Sequence, residues 1–115
     1  MTPAKRGDLV LVVEDHSYSV LGMDAGVRTD AMVGIVIGID RKGFVTRWRS
    51  TWSGPPCRIP ENARVLIVSA AKIDVAAAME AAIAHTWPGH DLQPMPFGSI
   101  DEARDFLRPF IRLAL

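Results

Sequence analysis

The chain has few of the residues that advertise a chemistry. It holds one cysteine, Cys57, so it can form no intramolecular disulfide and has no cysteine framework for zinc. That scarcity makes a reducing, cytoplasmic setting the default expectation. Net charge is also missing: 13 basic residues balance 13 acidic ones. A neutral chain lacks the global positive field that draws proteins to nucleic acid or anionic membrane regardless of sequence. No stretch approaches the roughly 18 apolar residues of a membrane span, and MTPAKRGDLV offers no apolar leader core before the first strand-like run, so no membrane partner is expected. Histidines number three. His85, His90 and Asp91 carry metal-ligating groups, but the spacing in HTWPGHD matches no recognised ligand pattern. Cys57 beside Pro55 and Pro56 reads as a small apolar side chain and not as a nucleophile. No catalytic residue, metal or cofactor is therefore expected, and the chain reads as non-enzymatic.

What is present is a fold pattern. At 115 residues the chain is the length of one domain, residues 1–115, with enough surface to bury to need no metal or disulfide. DLVLVVE, Asp8 to Glu14, is a strand signal with apolar residues on both faces, as in a strand buried on both sides or curled in a small barrel. Residues 15–31 are polar and carry Gly22 and Gly26. They read as a long hairpin loop in which YSVL forms at most a short strand. MVGIVIGID, Met32 to Asp40, is the second clear strand, and its paired glycines predict a bend or a close backbone approach. Asp40 to Gly43 reads as a tight turn into a third strand. Pro55 and Pro56 end that strand, a short CRI segment follows, Pro60 to Asn62 reads as one helical turn, and RVLIVS, Arg64 to Ser69, is the last strand.

After Lys72 the period changes. Asp74 is a helix N-cap, and Val75, Met79, Ile83 and Trp87 recur every four residues until Pro88-Gly89. His90 to Gly98, with two prolines, reads as a linker. Ser99 and Glu102 form a capping-box pattern for a second helix with Ala103, Phe106, Leu107, Phe110 and Ile111 as its apolar stripe, ended or kinked at Pro109. The predicted class is thus α+β, with about five strands over residues 5–70 and two helices in a C-terminal extension, residues 73–115.

KRGDLVLVV (Lys5 to Val13) and VGIVIGIDRKGFVTRWR (Val33 to Arg49) resemble the opening strand and the KOW-type segment of SH3-like small β-barrels. The resemblance implies a barrel over residues 5–70, and for partners it implies RNA or the proteins of ribosomes and transcription complexes. HTWPGHDLQPMPFGSIDEARDFLRP resembles the tail of small uncharacterised actinobacterial proteins, some from mobile elements, a likeness that carries no activity with it.

One strip concentrates charge. From Arg41 to Arg58 there are five basic residues and no acid. Within it, GFVTRWRSTW (Gly43 to Trp52) alternates so that Phe44, Thr46 and Trp48 share one side and Val45, Arg47 and Arg49 the other. A base-stacking platform needs aromatics and cations on the same accessible face. The simpler reading puts Phe44 and Trp48 in the core, with Arg47 and Arg49 outside, where they also discourage edge aggregation. The alternative makes Arg41, Lys42, Arg47, Arg49 and Arg58 a phosphate-contacting rim with Trp52 at its edge, giving about two to four contacts and salt-sensitive binding. In the tail RPFIRLAL, Phe110, Ile111, Leu113 and Leu115 are too apolar to stand in water. They pack back on the barrel or pair two chains as a homodimer. The overall expectation is an interaction or adaptor module with a protein partner. Nucleic-acid binding through residues 41–58 is the alternative.

Overall fold

A computed structural model describes residues 3–51, 55–87 and 90–112. Its strands are β1 (Leu9–Val20), β2 (Met23–Ile39), β3 (Val45–Ser50), β4 (Cys57–Arg58) and β5 (Arg64–Val68). They form one antiparallel sheet in the order β4-β3-β2-β1-β5. The helices α1 (Val75–Ala84) and α2 (Ile100–Leu107) follow, separated by the small ribbon β6 (Thr86–Trp87) and β7 (His90–Pro94), and a 3-10 turn runs over Arg108–Phe110. The class is α+β, a five-stranded sheet with two C-terminal helices.

β1 has apolar residues at every position from Leu9 to Val13, and all five are buried. Alternation sends Leu9, Leu11 and Val13 to one face and Val10 and Val12 to the other. The first set packs with Ala31 and Val33 of β2, with Ala78, Met79 and Ala82 of α1, and with Ala103 and Leu107 of α2. The second set packs with Val36 and Trp48, against Val45 of β3 and Val65 and Ile67 of β5. In a flat sheet β3 and β5 would stand about 14 Å apart, three strand spacings. Their meeting in one cluster means that the sheet is strongly curled.

It is curled but not closed. The edge strands β4 and β5 share no ladder among the described residues, so the closed barrel expected from the sequence is not what forms. β4 is too short to bridge the gap: it is a two-residue strand, and Pro55, Pro56 and Pro60 around it carry no backbone donor. The helical turn expected at Pro60 to Asn62 is instead a reverse turn, closed by the Ala63 N–H donating to the Pro60 carbonyl at 3.1 Å.

Other segments also depart from expectation. Residues 15–31 are not a loop: β1 and β2 stay paired to Val20 and Met23. Of the Val75, Met79, Ile83, Trp87 stripe, only Val75 and Met79 lie on the inner face of α1. Each four-residue step carries a side chain about 40° around the helix, so Ile83 has rotated out to 51% exposure while Ala78, Met79 and Ala82 face the sheet. The helix also stops at Ala84, well before Pro88, and Trp87 belongs to β6. The expected linker His90 to Gly98 contains β7, and its Phe97 is buried and exchanges two backbone hydrogen bonds with Ala31, at 2.7 and 2.9 Å. Both helix caps form as the sequence predicts: Asp74 accepts from Ala77 N–H at 3.1 Å and Ser99 from Glu102 N–H at 3.0 Å. Pro109 ends α2 in the 3-10 turn.

The glycine expectation has a concrete cause. A Cβ on Gly34 would lie 2.5 Å from the Arg49 carbonyl oxygen and 2.5 Å from the Trp48 ring, so only glycine lets Trp48 lie flat on β2. Gly34→Ala is expected to cost about 3 kcal/mol, read as a lower urea midpoint at unchanged slope.

Candidate interaction surfaces

Three surface features stand out: a basic strip, an apolar-tipped arm and a small apolar cavity. The basic strip is built by β3 and its neighbours. Arg47 and Arg58 are direct cross-strand partners between β3 and β4, and Arg49 lies on the same side of β3 beyond Trp48. Arg41 and Lys42 occupy the β2–β3 turn, which Asp40 organises by accepting from Lys42 N–H at 2.8 Å and Phe44 N–H at 2.9 Å. All five side chains are exposed, and none forms an ion pair among the described residues. The structure therefore brings Arg47, Arg49 and Arg58 together and leaves Arg41 and Lys42 at the end of the sheet. Trp52 lies outside the described residues. Like charges directly opposite on a sheet are mildly destabilising, so the Arg47–Arg58 pair carries a small standing cost.

Phe44 does not join Trp48 in the core. The β2–β3 register pairs Val36 with Trp48, Gly38 with Arg47 and Ile39 with Val45, so it slips on both strands. Thr46 and Arg47 both turn outward, Val45 and Trp48 both turn inward, and Phe44 is left 48% exposed. A bulge resets strand parity, and residue alternation alone could not show it.

The arm replaces the long hairpin loop that the sequence predicts over residues 15–31 with a paired ribbon. β5 flanks β1 only over Leu9–Val13, and β3 flanks β2 only from Gly34 onward. Beyond that, residues 14–20 and 23–30 form a bare two-stranded ribbon, about 23 Å long at 3.3 Å per residue. The molecule accordingly measures 52 × 34 × 26 Å. Isolated ribbons are marginal in water, and this one is braced by polar pairs. Thr29 Oγ1 donates to Asp15 at 2.6 Å, Arg64 reaches Asp15 at 3.3 Å, and Arg28 and His16 meet Asp30 at 3.1 and 3.5 Å. Near its end the ladder slips past Ala25, and the Tyr18 ring covers Gly26.

The tip is apolar. Val20, Met23, Tyr18 and Val27 are all exposed, and Leu21 is 98% exposed. Leu21 and Gly22 are the two central residues of the turn, with φ of +52° and +82°. That is the positive-φ requirement of a type I′ hairpin, which Asn-Gly meets easily and leucine does not. The sequence signal was available: two β-prone runs, HSYSV and MDAGVRT, flank an X-Gly pair. Leucine in place of asparagine hid it.

The cavity sits at the far end of β2 from the tip. Its volume is ≈ 160 Å³, and its walls include Pro3, Phe44, Val45, Val65 and Ile67, with Lys42 at the rim. It is the gap left where β3 and β5 approach without pairing.

The remaining sequence candidates fall elsewhere. Cys57 is exposed, and its thiol donates to the Pro55 carbonyl at 3.4 Å. His85 stacks on Phe97 at 4.7 Å, and its Nε2 is buried without a partner among the described residues. The side chains of His90 and Asp91 lie outside the described residues. No three of His, Cys, Asp and Glu converge among those described. No helix among the described residues is long and apolar enough to cross a membrane. In the tail, Phe110 packs on the helix-covered core and Ile111 bridges Ile73, while Leu113 and Leu115 lie outside the described residues. No protein-family model, curated protein or solved structure significantly matches the chain.

The Leu21 geometry makes a prediction. A left-handed backbone costs an L-residue about 1 kcal/mol, and asparagine tolerates it best. Leu21→Asn is expected to stabilise the arm by that amount, slowing amide hydrogen exchange across residues 16–19 about fivefold.

Proposed function

We propose that the protein is a non-enzymatic interaction module that contacts a protein partner through the tip of the β1–β2 arm. The observation that carries this reading is Leu21, a fully exposed leucine held at positive φ on the end of a ribbon. Neither solubility nor backbone energy favours leucine there, so its use lies in a contact. The flanking Val20 and Met23 enlarge the apolar surface, and the braces behind the tip hold it clear of the body.

The sheet is further read as an SH3-like barrel left open between β4 and β5. The strand order and the cluster shared by β3 and β5 support that reading. A reducing, cytoplasmic setting accords with the single exposed thiol of Cys57.

The test places a photo-crosslinking residue at position 21 and, as control, at position 47 in cells. The reading expects one discrete adduct from position 21 that is lost when Met23→Asp is added. No adduct from position 21, or the same adduct from both positions, overturns it.

A second reading rests on the Arg47–Arg58 pair, whose charges meet no acidic partner among the described residues and suit an anion such as a nucleic-acid phosphate. Fluorescence anisotropy with labelled duplex DNA, single-stranded DNA and RNA separates the two. The second reading expects binding that weakens steeply with salt and is lost in Arg47→Ala/Arg58→Ala. The leading reading expects no binding at physiological salt, and no change on Leu21→Asn.

A further inference from the structure

We infer that the arm's partner is a second copy of this chain: the Leu21 tip of one molecule seats in the Phe44 cavity of the next. The inference rests on the arm being a contact device and names what it contacts.

Size comes first. A cavity of roughly 150 Å³ with apolar walls accepts a benzene-sized group. The gap walled by Phe44, Val45, Val65 and Ile67 is ≈ 160 Å³, which suits one leucine side chain. The tip presents one such side chain, fully exposed at the end of a ribbon two strands wide.

Charge comes second. From Tyr18 to Val27 the tip carries one charged side chain, Asp24, while the other carboxylates of the arm, Glu14, Asp15 and Asp30, lie at its base. The cavity is lined in part by Lys42, with Arg41 next to it, and the Asp40 carboxylate of that turn is occupied by the Lys42 and Phe44 N–H groups. Asp24 approaching Arg41 and Lys42 is favourable, whereas two tips meeting would set Asp24 against Asp24. The same charge disfavours an anionic membrane as the tip's destination.

Placement comes third. The tip begins β2 at Met23, and the cavity follows the turn that ends β2 at Ile39. A molecule whose long axis is 52 Å cannot fold its own tip into its own cavity without breaking the β2 ladder. Donor and acceptor therefore stay free on every copy. Such a contact is heterologous and propagates head to tail unless it closes into a ring. A single seated tip is a small interface, so the association is weak and reversible.

The test uses the full chain in sedimentation velocity from about 1 μM to 1 mM, the range spanning weak to moderate contacts. Wild type is expected to shift to larger species with concentration. Leu21→Asp removes the tip and Phe44→Asp removes the cavity wall. Both positions are exposed, and circular dichroism checks that each variant is folded. Each variant alone should stay monomeric. Their mixture should form dimers and stop there, because one intact tip and one intact cavity remain. A wild type monomeric throughout, or a mixture that stays monomeric, overturns the inference. If wild type is monomeric while position 21 still cross-links a different protein in cells, self-association falls and the interaction arm stands. If position 21 cross-links nothing, both fall.

Discussion

The structure depends on one strand being dry on both sides. From Leu9 to Val13, β1 lies between β2 and β5 and feeds two separate apolar clusters, one under the helices and one inside the curl of the sheet. Burying an aliphatic side chain is worth about 1.5–3 kcal/mol, so the run from Leu9 to Val13 fixes register and topology together. A one-residue slip would exchange the two clusters. Asp8 secures the start of the run. It is buried, and its carboxylate accepts from Lys5 N–H at 2.8 Å and Ala70 N–H at 3.0 Å, while its carbonyl accepts from Val36 N–H at 2.9 Å. A buried acid occupied in this way joins three separate segments to the strand.

The arm follows from the same strand. The apolar code of β1 ends at Val13, but its β-forming character does not, so the ladder with β2 continues where no third strand can follow. Past Val13 the ribbon changes from apolar burial to polar bracing, Asp15 with Thr29 and Arg64 and Asp30 with Arg28 and His16. Solvated pairs of this kind contribute little each. The ribbon therefore relies on several of them and on the Tyr18 ring over Gly26. Against that background an apolar, left-handed leucine at the end is a cost that folding alone gives no reason to carry.

The sequence made the deeply buried parts legible. The double-faced pattern of DLVLVVE, the close approach of Trp48 at Gly34, the caps at Asp74 and Ser99 and the stop at Pro109 each follow from a local rule. The structure agrees with them because nothing distant competes. It was least legible where pairing is decided at long range. Residues 15–31 read as a loop because polar strand residues and turn residues look alike when no face is buried. The segment after Ala84 reads as helix and linker because distant contacts, the backbone bonds to Ala31 and the rings of His85 and Phe106, fix Phe97 in place. Of the candidate site, the exposed arginines were legible from alternation within β3. The arm and the cavity were not, since both arise where strands outrun or fail to reach their neighbours.

The slip between β2 and β3 connects these surfaces. With strict alternation Phe44 would share the interior with Trp48. The reset turns Val45 inward in its place, and valine is the smaller residue. Phe44 is left half exposed and lines the cavity together with Val45. The same reset leaves Thr46 outward beside Arg47, which alternation from Trp48 already turns outward and which pairs in unshifted register with Arg58 of β4. The exposed Phe44 and the cavity it walls thus go with one local change in register, while the open edge follows from the shortness of β4 and the prolines around it. A sheet whose β3 and β5 paired would have no such cavity between them.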